Sequence, residues 1–240
     1  MIENVLRIGN FTSSNNYRLC ASLKDGTPSA AFYTYIKEKM YERKLKRSND
    51  TGAYSQSMAW GKFLEKRVND NLPMGYRMMH KTTSQHPKYK FWTGSVDFLV
   101  PGIKVAELKC FEPKNFASYV LALMSNDTEI IKEEHPKEYW QMVSNACIHK
   151  TPKIEAIVYM PYESEMVEIR ELSEDPEYLS SIGMQPWEVR FIAEKPSSQL
   201  AVLPDDSDFK NLNIFEFDVP DEDVMFLTKR MIMAGKLLNG

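Results

Sequence analysis

The sequence predicts an α/β (α+β) fold in which helices flank a mixed central sheet. Apolar residues recur with helical spacing over residues 32–47 and 57–71. Residues 91–100 and 103–111 have the composition of β-strands and flank the turn dipeptide Pro101-Gly102. Helical and strand patterns then alternate to the end of the chain, and this order is typical of helices packed on a mixed sheet.

The second half of the chain contains a core strand between less regular segments. Residues 153–162 form an apolar run, which predicts a strand buried on both faces. The segment before it has helical apolar spacing and ends ahead of Pro152. The elements predicted around the core strand are a helix over 136–149, a candidate strand over 165–170, an unassigned acidic segment over 175–208, a strand over 213–218, and a helix from Pro220 to about Leu238.

Composition restricts the class of protein. Hydrophobic residues make up 43% of the 240 and charged residues 26%, which is ordinary for a soluble globular chain. No apolar run approaches the roughly 20 residues that span a bilayer, and the first ten residues lack the apolar region of a secretory signal. The three cysteines are odd in number and far apart, which argues against a disulfide framework or a cysteine-rich metal site. We therefore expect a cytoplasmic protein with no membrane partner.

Charge is distributed unevenly along the chain. Residues 163–223 contain 17 acidic and four basic side chains, a local charge of −13, so the rest of the chain carries +10 within a net charge of −3. Basic residues concentrate in 37–47 and 77–90. Such asymmetry is compatible with a groove for a polyanion on one side of the protein, although two solvated helix faces would give the same pattern.

The hairpin around Pro101-Gly102 holds the residues most suited to chemistry. Side chains alternate along a strand, so Glu107 and Lys109 share one face. Asp97, on the preceding strand, faces Glu107 only if the hairpin loop has three residues or a bulge. We predict such a loop, because a two-residue loop would turn the Asp97 carboxylate to the other face of the sheet.

These side chains suit the hydrolysis of a phosphodiester. The carboxylates of Asp97 and Glu107, with the carbonyl of Leu108, offer hard oxygen ligands for Mg²⁺, with Mn²⁺ as a substitute. Such an ion neutralises charge on the phosphate and acidifies a water molecule, and Lys109 can orient that water or stabilise the developing charge. The Asp-x9-Glu-x-Lys pattern is weak by itself, because a Glu-x-Lys pair on a half-exposed strand is commonly a solvated charge pair.

Two predicted helices add candidates. Gly61 and Glu65 lie one turn apart on one face, so Glu65 can reach over the glycine into a site. Gln141 lies among apolar helix positions, where its amide needs a partner such as an active-site carboxylate or lysine. The alternatives are an ordinary surface glutamate beside a helix-packing glycine, and a glutamine at a helix edge.

The N-terminal segment supplies a candidate phosphate contact. Arg7 is followed by the hydroxyls of Thr12, Ser13 and Ser14 near a predicted helix start. A guanidinium with small donors suits phosphate oxygens. The alternative is a capping sequence in which Thr12 or Ser13 is the N-cap residue.

As a set, these motifs resemble the phage lambda exonuclease family, the YqaJ-like viral recombinases of the PD-(D/E)xK nuclease superfamily. The resemblance covers residues 7–162 and, less closely, 213–238. The matching motifs, in the family order, are Arg7-Ile-Gly with Thr12-Ser13-Ser14, Ala59-Trp60-Gly61-Lys62 with Glu65, Ser95-x-Asp97, Glu107-Leu108-Lys109-Cys110, and a helix with Gln141 before a core strand.

The resemblance implies a restriction-endonuclease-like core and Mg²⁺-dependent digestion of duplex DNA from 5′ ends. The product would carry 3′ single-stranded tails for phage-type recombination with a single-strand annealing protein, and a trimer is the implied oligomer. The roles implied for individual residues are metal ligation for Asp97 and Glu107, the catalytic lysine for Lys109, active-site support for Glu65 and Gln141, and contact with the 5′-terminal phosphate for Arg7 and Ser14, with Thr12 beside them.

The sequence departs from the family pattern in two places. Val96 stands where the family commonly has proline, and the acidic segment, residues 163–212, looks longer than the family core. We expect one nuclease domain over 1–240, with the acidic segment as an insertion that faces away from DNA because its charge repels phosphates. A related endonuclease stays open, since the motif encodes hydrolysis and not end dependence, and so does a non-catalytic DNA-binding module on the same fold.

Overall fold

The computed structural model describes residues 5–49, 55–79 and 82–239. Residues 80 and 81 of the basic stretch 77–90 lie outside this description. The strands are β1 (Phe11–Thr12), β2 (Arg77–Met78), β3 (Ser84–Gln85), β4 (Trp92–Gly94), β5 (Phe98–Val100), β6 (Lys104–Lys109), β7 (Lys153–Tyr159) and β8 (Leu212–Asp218). The helices are α1 (Tyr17–Cys20), α2 (Ala30–Leu45), α3 (Gln56–Asn71), α4 (Pro113–Met124), α5 (Thr128–Glu134), α6 (Pro136–His149), α7 (Met166–Glu174), α8 (Pro176–Ser181), α9 (Pro186–Glu194) and α10 (Asp221–Asn239).

The strands form a large mixed sheet and a small one. The large sheet has the order β2-β5-β6-β7-β8, with β6 and β7 parallel and the other neighbours antiparallel. The small sheet has the order β1-β4-β3. Strand β7 is buried along all but its first residue, because helices and neighbouring strands cover it, as its apolar sequence predicts. The predicted α/β class with a mixed central sheet flanked by helices is confirmed.

The hairpin between β5 and β6 closes with three residues. Val100 pairs with Lys104 and Phe98 pairs with Ala106, so Pro101 to Ile103 form the loop. The Ile103 amide donates to the Val100 carbonyl at 3.0 Å, which closes the turn. The prediction of a three-residue loop is confirmed, and continuing this register places Asp97 opposite Glu107.

Residues 91–100 do not form one strand, contrary to the sequence prediction. β4 belongs to the small sheet and β5 to the large one, and residues 95–97 cross between them. The backbone carbonyls at the crossing accept hydrogen bonds from outside the strand pairs. The Asn145 side-chain amide donates to the Ser95 carbonyl at 3.0 Å, and the Met79 backbone amide donates to the Asp97 carbonyl at 2.8 Å. These bonds satisfy carbonyls that an unbroken strand would have paired within a sheet.

The prediction of a strand over 165–170 is wrong, because these residues belong largely to helix α7. Met166, Ile169 and Ser173 are buried at helical spacing, whereas Val167 is 70% exposed. Part of the unassigned segment 175–208 is also helical, in α8 and α9, and helices α4 and α5 were not predicted.

Helix α6 connects the two sheets. It packs on β6 and β7 of the large sheet and on β4 of the small one. Its Ser144 hydroxyl forms hydrogen bonds of 2.8 Å with the Ser13 hydroxyl and with the Trp92 indole nitrogen, both from the small-sheet side. The position of α6 therefore fixes how the N-terminal segment sits relative to the large sheet.

The acidic segment leaves the large sheet after β7 and returns at β8, although these two strands are hydrogen-bonded neighbours. It adds helices α7, α8 and α9, of which α9 packs against helix α3 and α7 packs against both α8 and α9. In the part of the chain that the structure describes, no helix combines the length and apolar character that a membrane span requires.

Substituting alanine for Gly94 and for Gly61 should change the stability of the protein in opposite directions. A Cβ on Gly94 would lie 2.2 Å from both the Asn145 Oδ1 and the Ser13 Oγ, whereas a Cβ on Gly61 would meet only the Cys110 Cβ, at 3.9 Å. Gly94→Ala should lower the free energy of unfolding by about 1–3 kcal/mol through overpacking. Gly61→Ala should raise it by up to about 1 kcal/mol through helix propensity. Urea unfolding of both variants measures the difference, and equal stabilities would contradict it.

Candidate active site

Glu107 is the centre of a buried polar cluster. Its side chain is 1% exposed on strand β6. Helix α6 supplies an amide donor to each carboxylate oxygen: Gln141 Nε2 donates to Oε2 at 2.6 Å, and Asn145 Nδ2 donates to Oε1. Gln141 and Asn145 are four residues apart, so both project from one face of the helix towards the strand.

Lys109 lies next to this carboxylate. Its ammonium donates to the Gln141 Oε1 at 3.0 Å and lies 3.7 Å from the Glu107 Oε2. Gln141 therefore bridges the two charged groups, with its oxygen towards the lysine and its nitrogen towards the glutamate. The structure brings Glu107, Lys109 and Gln141 together, as the sequence analysis expected for an active centre.

Asp97 stands at the crossing between the two sheets and faces the same cluster. Its Oδ2 accepts the Leu108 backbone amide at 2.8 Å. This bond holds the Asp97 side chain against strand β6 and orients it towards Glu107.

Glu65 reaches the cluster from helix α3. A cavity of about 190 Å³ is lined by Gly61, Lys62, Glu65, Asp97, Leu108 and Cys110. Gly61 opens this cavity, because no other atom comes closer than 3.9 Å to the place of its missing side chain. The predicted arrangement of Glu65 beside a glycine on one helix face is therefore present, although the glycine leaves space and does not admit a close backbone.

The candidate phosphate contacts line a second cavity, which Asp97 also lines. This cavity, of about 210 Å³, is lined by Arg7, Thr12, Ser13, Ser14, Thr83, Thr93, Gly94, Ser95, Asp97 and Gln141. Arg7 is exposed. The Thr12 side chain makes no capping hydrogen bond, which counts against its role as an N-cap group. The Thr12 hydroxyl lies 3.3 Å from the Tyr35 hydroxyl and 3.4 Å from the Ser14 hydroxyl. Thr12 is buried, whereas Ser14 is only partly buried.

Burial and mutual repulsion raise the pKa values of the carboxyl groups in the site. Burial is the largest cause in each case: it raises the pKa of Glu65 to about 7, with a further contribution from Asp97. It raises the pKa of Asp97, against the opposing charge of Lys109. It also raises the pKa of Glu107 well above its usual range, with Asp97 adding to the effect. A cation among these carboxyls would favour their ionised forms.

The donor set fits a hard divalent cation. Asp97 and Glu107 offer carboxylate oxygens, and Leu108, which lines the first cavity, offers a backbone carbonyl. Within residues 5–49, 55–79 and 82–239, no three His, Cys, Asp or Glu side chains form a metal-binding group by themselves. Mg²⁺ is commonly bound through one or two carboxylates and keeps several waters, so a donor set of this size is compatible with that ion.

Sequence reasoning missed Asn145 as a site residue. Its amide links Glu107 to the Ser95 carbonyl, and hence the strand to the crossing that carries Asp97. The signal was its spacing of four residues from Gln141, which places both amides on one helix face. Lys62 and Cys110 were named only as parts of motifs, and both line the first cavity.

Solved exonuclease structures share this fold. An alkaline exonuclease (LHK-Exo) from Laribacter hongkongensis superposes with a TM-score of 0.59 over 97% of this chain and 89% of that chain, at 14% identity. The same protein in complex with dAMP gives 0.60 over 98% and 90%, also at 14% identity. A phage-related exonuclease from Haemophilus somnus 129PT gives 0.57 over 95% and 93%, at 13% identity. The chain thus has the fold of these exonucleases.

The family is established by sequence. The family model of the YqaJ-like viral recombinase domain matches residues 5–150. This chain therefore belongs to the YqaJ-like viral recombinase family, as its motifs indicated. A search of curated proteins found no match.

The hydrogen bond from Asn145 to Glu107 makes a prediction for stability. Asn145→Ala leaves one oxygen of a buried carboxyl without its donor, and should lower the free energy of unfolding by about 1–3 kcal/mol. In a Glu107→Leu background the same change should cost less, since no carboxyl is left unpaired. Denaturant unfolding of the double-mutant cycle measures the coupling. Equal costs in both backgrounds would show that Asn145 acts only through Ser95 or through packing.

Proposed function

We propose that this protein is a Mg²⁺-dependent deoxyribonuclease that resects duplex DNA from 5′ ends and leaves 3′ single-stranded tails. The observation that carries the proposal is the position of Asp97, which lines both cavities. The first cavity also contains the Glu65 carboxyl. The second contains Gln141, which bonds both Glu107 and Lys109, together with an arginine and hydroxyls suited to a terminal phosphate. Family membership and the shared exonuclease fold support the same reading.

The chain's own groups prepare the site for hydrolysis. Gln141 and Asn145 orient the Glu107 carboxylate, because each of them donates to a different oxygen. The Leu108 amide orients Asp97 in the same way. Lys109, bonded to Gln141, places a positive charge beside these carboxylates, where it can stabilise negative charge that develops on a phosphate or orient an attacking water.

Asp97, Glu107 and the Leu108 carbonyl would hold the metal ion. When bound, Mg²⁺ would supply charge neutralisation at the phosphate and a more acidic water. Glu65 lines the first cavity beside Asp97, where its carboxyl can contact a substrate or a water that enters the cavity. We assign Glu65 and Gln141 supporting roles and Lys109 the role of catalytic lysine.

End selection is assigned to the second cavity. A 5′-terminal phosphate differs from an internal one in its extra charge and extra acceptor oxygens, which favour a guanidinium and small donors. Arg7 is exposed and Ser14 is partly so, and both line this cavity together with Asp97. Thr12 contributes less directly, because its hydroxyl is buried against Tyr35. The assembly state and an annealing-protein partner stay predictions of the resemblance.

Three conservative substitutions test the hydrolytic site. Asp97→Asn, Glu107→Gln and Lys109→Met should each reduce cleavage of linear duplex DNA by at least about a hundredfold, because each removes a charge that acts on the reacting phosphate. Glu107→Gln is preferable to an alanine variant, since the side chain is buried and its removal would leave two amides without an acceptor. Nuclease assays with purified variants measure the loss.

Metal binding can be followed apart from activity. Mg²⁺ should raise the thermal unfolding temperature of the unmodified protein and have little effect on Asp97→Asn, because a ligand that binds only the folded state stabilises it. Asp70→Asn, an exposed carboxylate on helix α3, is the matched control and should retain both the shift and the activity. An Asp97→Asn protein that cuts DNA normally would overturn the assignment.

End recognition makes a separate prediction. Linear duplex with a 5′ phosphate should be degraded faster than the same duplex with a 5′ hydroxyl, and Arg7→Ala should remove most of the difference. A charge-assisted contact is worth about 1.5–3 kcal/mol, so the preference should be on the order of ten- to a hundredfold. Single-turnover rates on the two substrates measure it, with Arg190→Ala as the exposed-arginine control. Equal rates on both ends, or rapid nicking of closed circular duplex, would favour an endonuclease.

A further inference from the structure

Helix α3 carries Glu65 and has two faces with different surroundings. Gly61 and Glu65 are four residues apart and line the first cavity. Phe63 lies two residues after Gly61, and Arg67 lies two residues after Glu65. Two residues correspond to a rotation of about 200°, so both lie on the opposite face of the helix. The cavity face is open at Gly61, where the nearest atom to an added Cβ would be 3.9 Å away. Contacts on the opposite face therefore have a large part in fixing the position of the helix.

The acidic segment supplies the apolar contacts on that opposite face. The element that α3 packs against most extensively is helix α9. The Phe191 ring lies edge-on to Trp60 with centroids 6.4 Å apart, and the Tyr178 ring lies edge-on to Phe63 at 5.3 Å. Tyr178 also donates its hydroxyl to the Phe63 backbone carbonyl at 2.9 Å. This bond ties the acidic segment to the helix backbone two residues before Glu65.

Arg67 adds a charged connection. Its guanidinium contacts Glu168 at 2.6 Å, Glu165 at 3.0 Å and the Tyr159 hydroxyl at 3.1 Å. Glu165 and Glu168 belong to the acidic segment, and Tyr159 is the last residue of strand β7. These three partners raise the pKa of Arg67 despite its partial burial. The guanidinium thus joins α3, the acidic segment and the end of the central strand at one point.

A third connection lies at the rim of the cavity. The Lys62 ammonium donates to the Gly183 carbonyl, in the turn between α8 and α9, at 2.9 Å. Lys62 also lines the first cavity with Glu65 and Asp97. The acidic segment therefore contacts α3 behind the site and also beside it. Whether the whole segment faces away from DNA stays a prediction.

We propose that the acidic segment positions Glu65 by bracing helix α3 from the side opposite the active-site cavity. Tyr178 and Arg67 are the principal positioning residues, because they fix the backbone of α3 on either side of Glu65 without lining the first cavity. This inference rests on the proposed function, which gives Glu65 its role in cleavage. It assigns the segment a use that requires neither contact with DNA nor a partner protein.

The first test is a double-mutant cycle in the full-length protein. Tyr178→Ala should lower kcat for duplex digestion on the order of ten- to a hundredfold and leave KM for DNA nearly unchanged, because displacing Glu65 from its place in the site slows the chemical step. In a Glu65→Gln background the same change should have an effect of less than about twofold. Tyr178→Phe, which keeps the ring and loses only the bond to Phe63, should give a smaller fall in the same direction.

Trp187→Ala is the matched control. Trp187 lies on helix α9 of the same segment but is 72% exposed, so its removal should change neither kcat nor KM. An equal loss from Tyr178→Ala with and without Glu65, or no loss from either Tyr178 variant, would overturn the proposal.

Hydrogen exchange tests the brace without any substrate. In Tyr178→Phe, amide protection should fall in helix α3 and stay unchanged in strands β6 and β7, because the brace acts on the helix and not on the sheet. Unchanged protection of α3 would overturn the proposal even if activity fell. A protein that cuts no DNA would instead contradict the proposed function, and the exchange experiment would still decide whether the acidic segment braces α3.

Discussion

The burial of the Glu107 carboxyl is the constraint on which much of the structure depends. A carboxyl group that is 1% exposed is costly unless its oxygens are hydrogen-bonded. Helix α6 meets this requirement with Gln141 and Asn145, whose amides each reach a different oxygen. The helix must therefore lie directly over strand β6, and its spacing of four residues between the two amides fixes its rotation about its own axis.

The position of α6 in turn determines where the N-terminal segment lies. Ser144, next to Asn145, bonds Ser13 and Trp92 of the small-sheet side, and Asn145 itself packs against Gly94. A single helix therefore connects the carboxylate centre to the cavity that contains Arg7 and Ser14. The proximity of the candidate hydrolytic groups and the candidate end-binding groups follows from this shared support.

Helix α3 is supported differently. Its cavity face is open at Gly61, and an open face provides little packing. The compensation comes from the opposite face, where Trp60, Phe63 and Arg67 contact the acidic segment. Acidic residues there serve a structural purpose: Glu165 and Glu168 neutralise a partly buried arginine, which would otherwise be costly. Part of the negative charge of this segment is thus explained by its ion pairs with Arg67.

The sequence by itself determined what depends on local spacing: the long helices α2, α3, α6 and α10, the buried strand β7, and the grouping of Glu107 with Lys109 on one strand face. The three-residue hairpin loop was predicted from the requirement that Asp97 face Glu107. It also carried the family motifs, because these are contiguous. Only the tertiary structure decided the crossing at residues 95–97, where backbone carbonyls bond to partners distant in sequence. The same holds for Asn145, whose role depends on which strand α6 covers. Helix α7 is a different case, because Met166, Ile169 and Leu172 already have helical spacing in the sequence, and the expected strand misinterpreted that local pattern.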